Sequence, residues 1–278
     1  MGEFSAAWLR LREPVDRRSR NSAVAAALHG ALGLNRDIRV VDIGCGTGAN
    51  LRATAPLLGP EQSWTLVDND RALLTCASEA LNNWADTAAL VPYGLSLTKN
   101  GMKIAVRFRH ADVAGDIDGA LGDGVDLVTA SAFFDLVSQN FIERFVGAVV
   151  RRNATLYAVL TYNGTQNWLP RCAEDTRIFE AFNAHQAGDK GFGPAAGPRA
   201  AEILAGVCEA AGYRMELGDS PWDIGRDDDA LLKELVDGVA AAVLETGMID
   251  AAALAAWHAH PRSGVFVGHS DILALPPR

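Results

Sequence analysis

Val40-Val-Asp-Ile-Gly-Cys-Gly-Thr-Gly-Ala-Asn50 is an apolar run that ends on an acid, turns through three glycines and opens a helix. Twenty residues past Gly48, a second apolar run, Trp64-Thr-Leu-Val67, ends on Asp68. Glycines in such a turn let the backbone approach a ligand closely, and the helix that follows presents its free N–H groups there. A carboxylate at the tip of the neighbouring strand can accept hydrogen bonds from two ribose hydroxyls. The combination is the pattern of a nucleotide-cofactor site.

Outward from this stretch, strand-like apolar runs alternate with amphipathic helices from about residue 22 to residue 160, which predicts a parallel sheet covered on both faces. Strands are expected over 38–43, 64–67, 104–108, 125–130, 154–161, 213–217 and 265–274. Asn100-Gly101, between two alternating segments within 95–108, is a two-residue hairpin signal and predicts an added strand paired with the third one. Helices are expected over 49–58, through Leu73, Ala77, Leu81 and Trp84, and behind Ser138 as cap with Phe141, Phe145 and Val149 inward. Further helices are expected over 199–211, 227–247 and 250–258, while 165–198 loses strand character. The stretch from Trp8 to Asn21 is amphipathic, rich in arginine and expected to break at Pro14.

The fold expectation is one α/β domain spanning 1–278, a seven-stranded, mostly parallel, doubly wound sheet with its last strand antiparallel and with helical cap insertions. Residues 1–35 form an N-terminal helical cap and 36–164 the cofactor-binding core. The segments 165–198 and 219–263 are cap insertions, and 199–218 with 264–278 complete the core.

Composition limits the function. The 278 residues are nearly half apolar and about a fifth charged, as in ordinary globular proteins, with 34 acidic against 25 basic residues and a formal net charge of −9. Such a balance offers no field for nucleic acid or an anionic membrane, and no apolar run reaches spanning length. Cys45, Cys76, Cys172 and Cys208 have neither CxxC pairing nor histidine company, so they read as reduced thiols, with no metal site expected. The N-terminus lacks an apolar signal region, and a cytoplasmic protein, monomer or homodimer, is expected.

Gly44-x-Gly46-x-x-Ala49 followed by Asp68 also satisfies the loose dinucleotide fingerprint, which leaves a NAD site open on that motif alone. Asp42 two residues before the first glycine, the third glycine Gly48, and a final strand placed after two late helices weigh against it. With these features the sequence resembles class I S-adenosylmethionine-dependent methyltransferases. Asp42-Ile-Gly-Cys-Gly-Thr-Gly48 is similar to their glycine motif, Asp68 to their ribose-binding acid, and His110-Ala-Asp112-Val113 to the segment that reads adenine. Val125-Asp-Leu-Val-Thr-Ala-Ser131 resembles their fourth-strand motif.

The resemblance implies S-adenosyl-L-methionine as cofactor. Gly44 and Gly46, with Asp42, Cys45 and Asn50 around them, would shape the bed for its amino-acid part. Asp68, beside Asn69, would hold the ribose hydroxyls, and Asp112 with the Val113 amide the adenine. Thr129 and Ser131 would face the methionine part, and Arg20 or Arg12 would bind its carboxylate. Asp70 reads as a helix cap.

Methyl transfer from a sulfonium needs mainly alignment and exclusion of water, with a base only where the acceptor carries a proton. His185, Tyr162 and Asn163 are the expected catalytic residues, because the segment after the fifth strand falls over the carboxyl ends of the sheet. Asp135 is a secondary candidate for substrate contact. The Asn-Pro-Pro-Tyr motif of amino methyltransferases acting on bases is absent, since Ser131-Ala-Phe-Phe stands there instead. The function expected is methyl transfer to a small organic molecule. The alternatives are a NAD-dependent oxidoreductase, disfavoured by the lack of a Tyr-x-x-x-Lys pair, or a non-catalytic protein that binds the cofactor.

Overall fold

A computed structural model describes residues 5–32 and 37–277. Residues 1–4, 33–36 and 278, and with them the expected boundary between cap and core at 35/36, lie outside the described residues. Two helices, α1 (Ala6–Ser19) and α2 (Ser22–Leu32), precede β1 (Ile38–Ile43). There follow α3 (Ala49–Thr54), β2 (Glu61–Asp68), α4 (Arg71–Trp84), β3 (Thr87–Val91), β4 (Gly94–Lys99), β5 (Met102–His110) and α5 (Ile117–Leu121). Next come β6 (Leu127–Ser131), α6 (Gln139–Arg151), β7 (Thr155–Leu169), α7 (Asp175–Gln186), α8 (Ala200–Ala210) and β8 (Arg214–Asp219). The chain closes through β9 (Trp222–Ile224), α9 (Asp229–Thr246), α10 (Ala251–Ala259) and β10 (Gly264–Leu275).

The strands form one sheet in the order β3-β4-β5-β2-β1-β6-β7-β10-β8, with β9 on the margin of β10. Neighbours among β5, β2, β1, β6 and β7 run parallel, whereas β10 is antiparallel to both β7 and β8. The buried Val40, Trp64 and Leu66 join a core with α2 and α4 on one face, and Val41, Ile43 and Val128 join a core with α6 and α8 on the other. The seven strands read from the sequence are all present, so the doubly wound fold with an antiparallel last strand holds. Their connections also place the carboxyl ends of β1, β2 and β6 side by side.

Among the described residues the strands number ten, not seven. The Asn-Gly hairpin supplies β4, and β4 in turn pairs with β3, an edge strand exposed at every residue and hence without an alternating pattern to betray it. The three-residue β9 exists only as a partner of β10. The expected loss of strand character from residue 165 is also corrected. β7 runs on to Leu169 because Gln166, Asn167, Trp168 and Leu169 pair with Val267, Phe266, Val265 and Gly264.

A further correction concerns Pro14, which lies inside α1 without ending it. Proline removes one ladder bond, but Val15 is buried and the Arg12–Asp16 ion pair at 2.8 Å straddles the gap. Glu13 is also pinned by Arg52 at 2.7 Å. No helix among the described residues is long and apolar enough to cross a membrane.

The hairpin turn has Asn100 at φ 49° and Gly101 at φ 82°, both left-handed, and open space where a Gly101 Cβ would lie. Replacing Gly101 by alanine therefore costs backbone strain alone. Urea unfolding of Gly101→Ala is expected to show a loss of about 1 kcal/mol, whereas Asn100→Gly stays near the wild type.

Candidate functional site

The glycine turn is braced from beneath. Asn50, buried in the first turn of α3, donates from Nδ2 to Asp42 Oδ1 at 2.7 Å and to Thr129 Oγ1 at 3.1 Å. Thr129 passes its own proton to the Tyr157 carbonyl at 2.8 Å. The Asn50 Oδ1 accepts from Arg20 Nη2 at 2.8 Å, and Arg20 Nη1 reaches Thr54 Oγ1 at 2.9 Å. Burial pushes the Asp42 carboxyl up to about 7, against the pull of the Asn50 hydrogen bond and the Arg20 charge. Asp42, Thr129 and Arg20 thus stand behind the turn and do not line the cavity above it.

That cavity measures about 600 Å³, within the range of small-molecule sites. Its floor is Gly44, Cys45 and Gly46, and its rim carries Asp68, Asn69, Asp112, Val113 and Ser131, with Asn50 reaching it from α3. These nine expected cofactor residues come together as a single lining. Asp68 Oδ2 accepts the Gly46 amide at 2.8 Å, and its Oδ1 accepts the Asp70 amide at 3.0 Å. Each carboxylate oxygen keeps a second lone pair, so two hydroxyls can still be bound. Burial raises the Asp68 carboxyl above its ordinary value. Asp112, on the rim, uses Oδ1 on the Ala114 amide at 2.9 Å. Asp70 caps α4 through the amides of Ala72 and Leu73.

Helix α1 is the roof. Leu9, Arg12 and Asp16 line the cavity from it, and Phe133, Leu136 and Phe192 close one wall. Phe192 packs edge-on against Phe133 and Phe141. Arg12 clasps Asp16, lies 5.0 Å over the Trp222 ring, and Trp222 Nε1 donates to Asp16 Oδ1 at 3.0 Å. Of the two arginines considered for a carboxylate, Arg12 faces the cavity and Arg20 does not. Asp16 and Leu9 were not legible as site residues. Their only signal was the amphipathic, arginine-rich character of 8–21.

The three expected catalytic residues do not line the cavity. His185, on α7, has Nε2 3.1 Å from Glu245 of α9 and Nδ1 3.5 Å from Lys190 Nζ. The Tyr162 hydroxyl donates to Asn183 Oδ1 at 3.0 Å, and Asn163 Oδ1 accepts the Thr165 amide at 3.2 Å. Tyr162 is buried on β7 beside His269 of β10, whereas His185 belongs to the contact between α7 and α9.

No family model and no curated protein matches the sequence. Solved structures do match by shape. The cyclopropane-fatty-acyl-phospholipid synthase-like protein from Lactobacillus casei aligns with a TM-score of 0.55 at 14% identity, over 95% of this chain and 99% of that one. The cyclopropane synthase MmaA2 from Mycobacterium tuberculosis aligns with a TM-score of 0.51 at 13% identity, over 97% and 94%. The chain has the class I methyltransferase fold. At these identities the likeness is one of fold. Within that fold the cavity lies over the carboxyl ends of β1, β2, β5 and β6, where open α/β sheets bind ligands.

Gly46 sits at φ 52°, and a Cβ there would come within 2.9 Å of Leu9 Cδ1. Gly46→Ala is expected to lift the first turns of α1, seen as faster amide hydrogen exchange over residues 6–16. A second expectation concerns acid. Burial, helped by the Arg12 charge, pushes His269 down to about 3 from its ordinary 6.5. The unfolded chain takes up that proton near pH 6.5 and the native chain does not, so stability is lost as pH falls from 6.5 towards 3. In His269→Gln, the pH dependence of urea unfolding is expected to be flatter across that window than in the wild type.

Proposed function

We propose that the cavity binds S-adenosylmethionine and that the protein transfers its methyl group to a small organic molecule by in-line displacement. The observation that carries this reading is Asp68. Its carboxylate lines the cavity, is fastened to the Gly46 and Asp70 amides, and keeps one further lone pair on each oxygen for a ligand. The donor set suits an adenosine group. Asp68 accepts ribose hydroxyls, and Asp112 with the Val113 amide supplies one acceptor and one donor for the adenine edge. The glycine turn leaves room for the amino-acid part, for which Arg12 on the roof is the nearer guanidinium.

When bound, this cofactor supplies a methyl carbon on a sulfonium, an electrophile that needs no activation. The chain's own residues then have two tasks, to orient an acceptor and to keep water out. Leu9, Phe133, Leu136 and Phe192 serve the second as an apolar lid around the cavity. A small acceptor agrees with the enclosed volume and with the acidic net charge of −9. We place the protein in the cytoplasm on its cysteine usage, as a monomer or homodimer. In this reading Tyr162, bonded to Asn183 of α7, and His185, facing Glu245 of α9, hold the cap, and Asn163 orders the strand beside it.

Calorimetric titration with S-adenosylhomocysteine and, separately, with NAD tests the proposal. S-adenosylhomocysteine is expected to bind and NAD is not. Asp112→Ala, at an exposed position, is expected to weaken binding about tenfold, equivalent to about 1.4 kcal/mol, with an unchanged melting temperature. Asp68→Asn is expected to weaken it further, since hydrogen bonds to a charged partner are the stronger kind. Binding of NAD alone would send the reading towards hydride chemistry.

A further inference from the structure

Beside the cavity lies a group of polar side chains that the cofactor reading leaves unused. The chain leaves β6 at Ser131, turns through Ala132 at φ 50°, and makes one 3-10 turn over Phe134–Leu136 that carries Asp135. Phe133 and Leu136, on either side, line the cavity, and Asp135 turns inward beneath α1. Its Oδ1 is buried and has no hydrogen-bond partner among the described residues. Burial holds this carboxyl up at about 6, against the Arg12 charge and the Tyr162 amide.

A second orphan stands near the first. His269 pairs in register with Tyr162 across β10 and β7, and its ring lies 6.1 Å from that of Tyr162 and 5.0 Å from that of Trp222. The residue is 6% exposed, and its Nδ1 also lacks a partner among the described residues. Burial keeps the ring neutral, and a neutral imidazole has one N–H donor and one acceptor nitrogen. Arg12, lodged over Trp222 and tied to Asp16, lines the main cavity, and its charge acts on both Asp135 and His269. Buried polar atoms are almost always paired, so an open carboxylate oxygen and an open ring nitrogen, both under the influence of a cavity-lining arginine, are a site for a polar ligand.

We propose that Asp135 and His269 bind the methyl acceptor through a hydroxyl or amino group, and that Asp135 Oδ1 takes the proton of that group as its oxygen or nitrogen is methylated. The proposal rests on the reading of the main cavity as the S-adenosylmethionine site. In the balanced step, the acceptor's O–H or N–H proton passes to the carboxylate, and the acceptor's freed lone pair bonds to the methyl carbon. The electron pair of the S–CH₃ bond returns to sulfur, leaving a thioether, and the Asp135 proton is then lost to solvent. Asp135 is thereby a catalytic residue, and His269 is a binding residue that orients the acceptor. Arg12 and Trp222 are positioning residues. An acceptor that is solely an anion, such as a carboxylate, is disfavoured by the open carboxylate of Asp135.

The test uses the full chain, free and saturated with S-adenosylhomocysteine, and three probes of one size: phenol, benzylamine and benzoate. Phenol and benzylamine are expected to bind at least tenfold more tightly than benzoate and to shift the ring ¹⁵N signals of His269. Asp135→Asn is expected to weaken both by at least tenfold while S-adenosylhomocysteine affinity stays within twofold. His269→Gln is the second variant and is expected to weaken them with cofactor affinity likewise retained. The proposal is overturned if no probe binds, if benzoate binds as tightly as the other two, or if both variants leave the probes unaffected. Failure of S-adenosylhomocysteine to bind the wild type would instead remove the cofactor reading, and the probe results on the free chain would still decide whether Asp135 and His269 bind a polar ligand.

Discussion

The side chain of Asn50 is the joint on which the site depends. One amide group, buried at the start of α3, joins the carboxylate at the end of β1, the hydroxyl of β6 and the guanidinium that enters from the α1–α2 junction. An amide has both donors and acceptor to serve such a set. Because Asp42 and Arg20 lie on opposite sides of Asn50, their charges are linked through a neutral bridge in a dry interior, where unpaired ions are costly. The glycine turn above is held in place by what lies below it. Asp68 completes the fastening from the next strand by taking the Gly46 amide.

The N-terminal helices are integral to this arrangement. Arg20 anchors their junction from the inside, and the Asn21 amide donates to Asp271 Oδ2 at 2.8 Å, a carboxylate on the antiparallel strand β10. Helix α1 is thereby laid across the mouth of the sheet, and its residues Leu9, Arg12 and Asp16 become cavity wall. Its interior proline is tolerated because tertiary contacts on both sides of it exceed the loss of one ladder bond. A further clamp closes the far end. Arg262 sits between the rings of Trp168 and Trp257 and binds Asp175 at 2.8 Å, which holds α7, α10 and the extension of β7 together.

Elements with a local code were readable in the chain. β1 matches its expected range of 38–43, Ser138 caps α6 by accepting the Phe141 amide, and Asp70 caps α4, because a strand period or a cap is written within a few residues. Asn100-Gly101 was equally plain, since few other residues adopt two left-handed positions in succession. The extension of β7 and the short β9 were not readable. Both owe their existence to β10, whose residues lie about a hundred positions beyond the first and about forty beyond the second. The expected site divides in the same way. The residues of the glycine turn and of the strand ends line the cavity, whereas His185, assigned by its chemistry alone, faces Glu245.

The sequence by itself determined the seven core strands and the carboxylates at the tips of β2 and β5, because hydrophobic period and turn chemistry act over short range and leave the pattern in the chain. Only the tertiary structure decided which side chains the cavity contains beyond those tips. Whether Arg12 or Arg20 reaches it, whether the Arg12 charge falls on Asp135 and His269, and whether a helix with an interior proline survives all depend on packing between segments far apart in sequence. Such contacts are selected by shape and by the need to satisfy buried polar groups, and neither leaves a periodic mark in the residues that make them.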